Sequence, residues 1–98
     1  MYDHGARYSS PLFAAFYARR LDAEGPPGPR IGFTLPRALG GAVVRNRIKR
    51  RLRDVFRRNR TRIGARWDIV LNPRRAALTA PFPEIERAFE RLIEKCGP

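Results

Sequence analysis

The chain has 98 residues, and 21 Lys and Arg against nine Asp and Glu leave it with a formal charge of +12 at pH 7. That length makes one domain, able to bury roughly two-thirds of the surface its unfolded chain exposes, so no metal or disulfide is required to hold it. The single cysteine, Cys96, excludes an internal disulfide and suits a reducing cytoplasm, no apolar stretch approaches the ~18 residues of a membrane span, and no secretory signal opens the chain.

In chain order, Leu12–Ala18 is apolar and aromatic behind Pro11 and predicts a strand. The run Glu24-Gly25-Pro26-Pro27-Gly28-Pro29 cannot hold regular structure and predicts a loop into a second strand, Arg30–Leu35, the two strands forming a hairpin. Pro36 ends that strand, and Gly40-Gly41 lets the backbone turn tightly into a helix over about 42–60. Trp67–Leu71 predicts a third strand, stopped by Asn72-Pro73. Phe82-Pro83-Glu84 then opens a second helix, in which Ile85, Phe89, Leu92 and Ile93 keep helical spacing to about Lys95. These elements predict an α+β fold: a two-layer α/β sandwich with a mixed sheet of about three to four strands, two helices on one face and the other face free. Were the strands around the first helix parallel, the general rule would make their crossover right-handed.

The first helix concentrates the charge. Residues 45–62 hold ten of the 21 basic residues and a single acid, Asp54. At 100° per residue, Val44, Ile48, Leu52, Val55 and Phe56 fall on one face and predict docking on a core. Asn46, Arg50, Arg53 and Arg57 fall nearly opposite, a row of guanidinium forks with an amide in line, suited to phosphate oxygens spaced along a backbone. A merely solvated face usually alternates signs, and this one does not. Membrane-surface helices carry a broad apolar or aromatic face, whereas the residues on this one are better explained as core. Sequence-specific DNA reading would need more than one amide among the charges, so recognition of a nucleic-acid backbone, RNA above all, describes the row better.

Arg30-Ile31-Gly32-Phe33, followed by the unbroken run Leu39-Gly40-Gly41-Ala42-Val43-Val44-Arg45-Asn46-Arg47-Ile48-Lys49-Arg50-Arg51-Leu52-Arg53, resembles the signature of the bacterial ribonuclease P protein subunit, and Trp67-Asp68-Ile69-Val70 resembles that family's following strand. The resemblance implies a left-handed βαβ crossover, against the general rule, in a fold similar to a ribosomal-protein domain. It implies a protein cofactor of a catalytic RNA that removes the 5′ leader of precursor tRNA with Mg²⁺, held mainly by the RNA, and with no organic cofactor. The implied partners are that RNA and precursor tRNA, in the cytoplasm and away from membranes, with the free protein monomeric. Arg37, Arg45, Asn46, Arg47, Lys49, Arg50, Arg53 and Arg57 would bind RNA. Tyr2, Phe13, Phe16 and Phe33 would line a cleft for the single-stranded leader, where stacking on a π-face tolerates varied sequence. Phe13 and Phe16 have opposite parity on their strand, so Phe13, like Phe33, fits a place under the helices as well as one in the cleft; Phe16 is the favoured cleft residue, with Tyr17 pointing the other way.

Two departures accompany the resemblance. The family usually places a basic, aromatic-bearing helix before the position of Gly5, where this chain reads Met1-Tyr2-Asp3-His4, so the single domain over 1–98 is expected to have a truncated N-terminal helix. The family's Ser-Lys-Lys run is Pro36-Arg37-Ala38 here, leaving one basic residue. Catalysis by protein side chains has little to draw on, with one histidine, His4, one cysteine and no zinc-like spacing. Glu84, Glu86, Glu90 and Glu94 are expected to pair with Arg87, Arg91 and Lys95 along the second helix. The alternative function is a generic RNA-binding module of ribosomal type, which has no reason to keep a leader cleft.

Overall fold

A computed structural model describes residues 5–19, 28–64 and 67–96. The strands are β1 (Ala6–Ser9), β2 (Phe13–Arg19), β3 (Arg30–Phe33) and β4 (Trp67–Pro73), and the helices are α1 (Ala42–Arg58) and α2 (Phe82–Lys95). They form one mixed sheet of order β1-β2-β4-β3, antiparallel except for the parallel pair β3 and β4.

The expected hairpin between the first two apolar segments does not form. β4 lies between β2 and β3, so β2 pairs with β1 and β4 instead. The reason lies in the partners. β1 is a short polar strand that the hydrophobic pattern alone does not reveal, although Ala6 and Tyr8 alternate with Arg7 and Ser9 ahead of a Ser-Ser-Pro turn. Ser10 closes that turn: its hydroxyl accepts from the backbone N–H groups of Leu12 and Phe13 at 3.2 and 3.1 Å and donates to the Phe13 carbonyl at 3.0 Å. β3, in turn, is joined to β4 through α1, the connection a parallel pair requires.

β4 runs two residues beyond its expected end, through Asn72 and Pro73. The Leu71 carbonyl accepts from Thr34 N–H on the β3 side. Backbone polar groups alternate sides along a strand, so the Pro73 nitrogen also faces that side, where β3 has already ended at Phe33. Its missing N–H therefore breaks no ladder bond. Gly40, with φ of 137°, supplies the sharp entry to α1, and a Cβ there would lie 3.0 Å from Val44.

Register assigns the two faces. Phe13, Ala15 and Tyr17 of β2, Ile69 and Leu71 of β4, and Ile31 and Phe33 of β3 point the same way. Onto them pack Ile48, Leu52, Val55 and Phe56 of α1 and Ile85, Phe89, Leu92 and Ile93 of α2, in one core. The Phe13 and Phe89 rings lie 5.2 Å apart between sheet and helix. Both helices thus cover one face, as expected. No helix among the described residues is long and apolar enough to cross a membrane.

Candidate nucleic-acid interface

The apolar stripe of α1 turns its opposite side outward. Asn46, Arg47, Arg50, Arg53 and Arg57 are exposed, and Arg37 is exposed on the short turn just before the helix. Neither Arg47, Arg50 nor Arg57 donates a hydrogen bond or pairs with an acid among the described residues. Arg53 lies over the Phe33 ring at 5.7 Å. Four guanidiniums with no carboxylate partner among the described residues, on one side of one helix, form a strongly positive strip that favours a polyanion.

Other basic side chains of the same run are occupied within the fold. Arg51 donates to the carbonyls of Ala77 and Leu78 at 2.8 and 2.7 Å and to that of Ala80, fastening the turn that leads into α2. Its guanidinium also lies 5.4 Å from the Phe82 ring centre. Arg58 pairs with Asp54 at 3.3 Å and with Glu86 at 3.4 Å, and Arg62 pairs with Glu90 at 3.7 Å. The glutamates of α2 expected to pair along their own helix thus include two that reach across to the end of α1 and the turn after it. Helical spacing lists the partners available on one helix, and the packing of the two helices supplied nearer ones. Arg45 is half-buried, donating to the Leu35 carbonyl at 3.3 Å, with a buried Nε that has no partner. Lys49 is half-buried beside the row.

The second candidate surface is the sheet face away from the helices. Register places Arg7, Phe16, Val70 and Gly32 in one row across all four strands. The row behind it holds Ala18, Asp68 and Arg30, and the row before it Ser9, Ala14 and Asn72, about 7 Å away on either side. Arg7 lies over the half-buried Phe16 ring, 5.4 Å from its centre, and Arg30 forms a two-pronged pair with Asp68 at 2.7 and 2.8 Å. A Cβ on Gly32 would meet nothing within 4 Å, so the strip beside Phe16 is open.

Of the three described aromatics expected in a cleft, only Phe16 lies on this face. Phe13 is 0% exposed in the core, because its register partner Pro73 shares the helix-covered side. Phe33 also points to that side, opposite Leu71 and under Arg53. Tyr2 lies outside the described residues. Tyr17 does point the other way, and burial raises its phenol pKa, with Cys96 nearby adding to the effect. The contribution of Arg7 to the open face was missed because β1 was missed; its pairing opposite Phe16 is what puts it there.

The family model for ribonuclease P matches residues 1–97. The chain belongs to the ribonuclease P protein family. A ribonuclease P protein component from Symbiobacterium thermophilum is 48% identical over 68 residues, covering 69% of this chain and 59% of that relative. One from Brucella melitensis is 34% identical over 100 residues, covering 96% of this chain and 71% of the relative. The ribonuclease P protein structure from Thermotoga maritima matches with a TM-score of 0.79 at 25% identity, covering 99% of this chain and 88% of that one. Several curated ribonuclease P relatives are thus matched over less than two-thirds of their own length. Within this family fold, no group of three or more His, Cys, Asp or Glu converges to hold a metal ion among the described residues. What the described residues offer is cations and, on the open sheet face, Phe16.

Proposed function

We propose that this protein is the protein cofactor of a bacterial ribonuclease P, binding the catalytic RNA through the exposed row of α1 and the 5′ leader of precursor tRNA across the open sheet face. The observation that carries the reading is the row itself: among the described residues Arg47, Arg50, Arg53 and Arg57 have no acid partner, whereas Arg30, Arg58 and Arg62 are paired. Membership of the family supports it. Asn46, Arg37, Lys49 and the half-buried Arg45 would extend the same surface. Bound Mg²⁺ would be held mainly by RNA, and the protein's part is to lower the repulsion between RNA strands that such sites require. Phosphodiester hydrolysis then belongs to the RNA subunit of the endoribonuclease, with precursor tRNA as substrate. The reading takes residues 1–98 as one domain, monomeric when free and cytoplasmic, working on tRNA 5′ maturation.

On the open face, Phe16 would stack a leader base, with Arg7 beside it for the phosphates. Stacking on an aromatic contributes about 1 to 3 kcal/mol per base and is indifferent to sequence. Phe16→Ala should therefore weaken binding of precursor tRNA by the assembled enzyme roughly tenfold and leave mature tRNA unchanged. Equal loss for both would remove the leader role. The decisive assay is cleavage of a precursor tRNA by a bacterial ribonuclease P RNA at low Mg²⁺, with and without the protein. Restored 5′ processing on addition, with none from the protein alone, is expected. RNA binding without any rescue would replace this reading with a generic RNA-binding module.

A further inference from the structure

Asp54 is the one acid on α1, and it stands inside the cationic row. Together with Arg50, Arg51, Arg53, Arg57 and Phe82 it lines a surface hollow of about 370 Å³. Its side chain is 45% exposed, and one carboxylate oxygen pairs with Arg58 at 3.3 Å. The other oxygen has no partner among the described residues. An i,i+4 pair of this kind stabilises a helix by only a few tenths of a kcal/mol. Arg58 would also keep a carboxylate without it, because Glu86 reaches the same guanidinium at 3.4 Å.

For a surface that meets only phosphates, Asp54 is a liability, since its charge repels every ligand that the four arginines attract. It becomes useful if the ligand also carries hydrogen-bond donors. Nucleobases with exocyclic amino groups do, and phosphates do not. The hollow, toward the lower end of the size range of small-molecule sites, about 300 Å³ upward, has room for one base. Its walls suit a flat, polar-edged ring, with arginine stems and Phe82 as apolar sides and the guanidiniums of Arg50, Arg53 and Arg57 for its acceptor atoms. Arg51 and Arg58, both about 5 Å from the Phe82 ring centre, keep that wall in place.

We propose that the hollow over Asp54 takes a single unpaired, amino-bearing base of the bound RNA, with the free Asp54 oxygen accepting from its exocyclic amino group. This rests on the reading of α1 as an RNA-binding surface and adds a position where that surface distinguishes bases. The sign of one substitution tests it. Asp54→Asn removes a negative charge, so backbone attraction alone makes it bind RNA more tightly. Base capture makes it bind more weakly, by several-fold, because an amide oxygen accepts less strongly than a carboxylate, whose charge-assisted bonds are roughly twice as strong as neutral ones.

The probes are a bacterial ribonuclease P RNA and the oligoribonucleotides A10, C10 and U10, titrated against the wild type and Asp54→Asn, with thermal melting to show that both are folded. Weaker binding of the catalytic RNA at unchanged salt slope, and a wild-type preference for A10 and C10 over U10 that the variant loses, are the expected results. Equal or tighter binding by the variant, or an unchanged base preference, overturns the base site and leaves the parent reading intact. Failure of the wild type to bind the catalytic RNA in a salt-dependent way would overturn the parent reading instead.

Discussion

Arg50 and Arg51 are adjacent in sequence, but their side chains have different surroundings. Arg51 is turned toward the start of α2 and shares itself among three backbone carbonyls. Arg50 looks outward with nothing to bind among the described residues. The division continues along the run, with Arg58 and Arg62 paired to α2 and Arg47 and Arg57 unpaired among the described residues. A basic segment is therefore two populations, one that ties helices together and one that waits for a ligand. Charge counted along the chain does not separate them, because 100° of rotation on one helix decides which side chain meets the neighbouring element.

The largest effect should come from the structural population. Arg51→Ala leaves three carbonyls without their charged donor, at a cost of roughly 2 to 3 kcal/mol. Thermal melting should show a fall in Tm of about 10 to 15 °C. If Tm stayed within about 2 °C while RNA binding collapsed, Arg51 would belong to the ligand population and the division drawn above would fail.

An alkaline titration tests the core beneath both populations while leaving their charge unchanged. Burial pushes the Cys96 thiol from its ordinary value of 9.0 up to about 12, opposed by Lys95, and the Tyr17 phenol is raised as well. A raised folded pKa favours the protonated form, so this share of stability is fully present below the unfolded value and is lost as pH rises through the folded one. Denaturant midpoints should thus fall between about pH 9 and 12, while the guanidiniums remain charged. In Cys96→Ala that fall should be shallower relative to its own value at pH 7. An identical alkaline slope in the two proteins would show that Cys96 has no part in it.

Replacing a residue of the outward population should do the reverse of Arg51→Ala. Arg50→Ala or Arg47→Ala should weaken RNA binding several-fold and reduce the salt slope by about one counterion, with little change in Tm. A Tm loss matching the binding loss would place these side chains in the fold instead. The smallest effect belongs to the exposed pairs between helices. Glu86→Gln and Glu90→Gln should each shift stability by less than about 1 kcal/mol, and less still at high salt. A larger change in chemical denaturation would mean that these pairs, and not the apolar seam, orient α2.

Much of this was legible in the chain. Periodicity placed both helices to within a residue or two at their starts, and the faces of α1 followed from it, because a helix is a local structure whose side chains repeat by geometry alone. The family signature from Arg30 through Arg53 was likewise readable as a string. The sheet was less so. Alternation along β2 separates Phe13 from Phe16 but cannot say which one faces the helices, and β1 has too few apolar residues to announce itself.

What the sequence by itself determined was the identity of the helices, the concentration of charge on α1 and the family to which the chain belongs. Only the tertiary structure decided which strands are neighbours, that Phe13 and Phe33 face the helices while Phe16 faces out beside Arg7, and which arginines are already bound. The physical reason is the range of the interactions. Helical order arises from bonds four residues apart, whereas strand pairing and the capture of a guanidinium by a distant carbonyl join positions up to 64 residues apart, as Arg74 and the Ser10 carbonyl do at the β1–β2 turn.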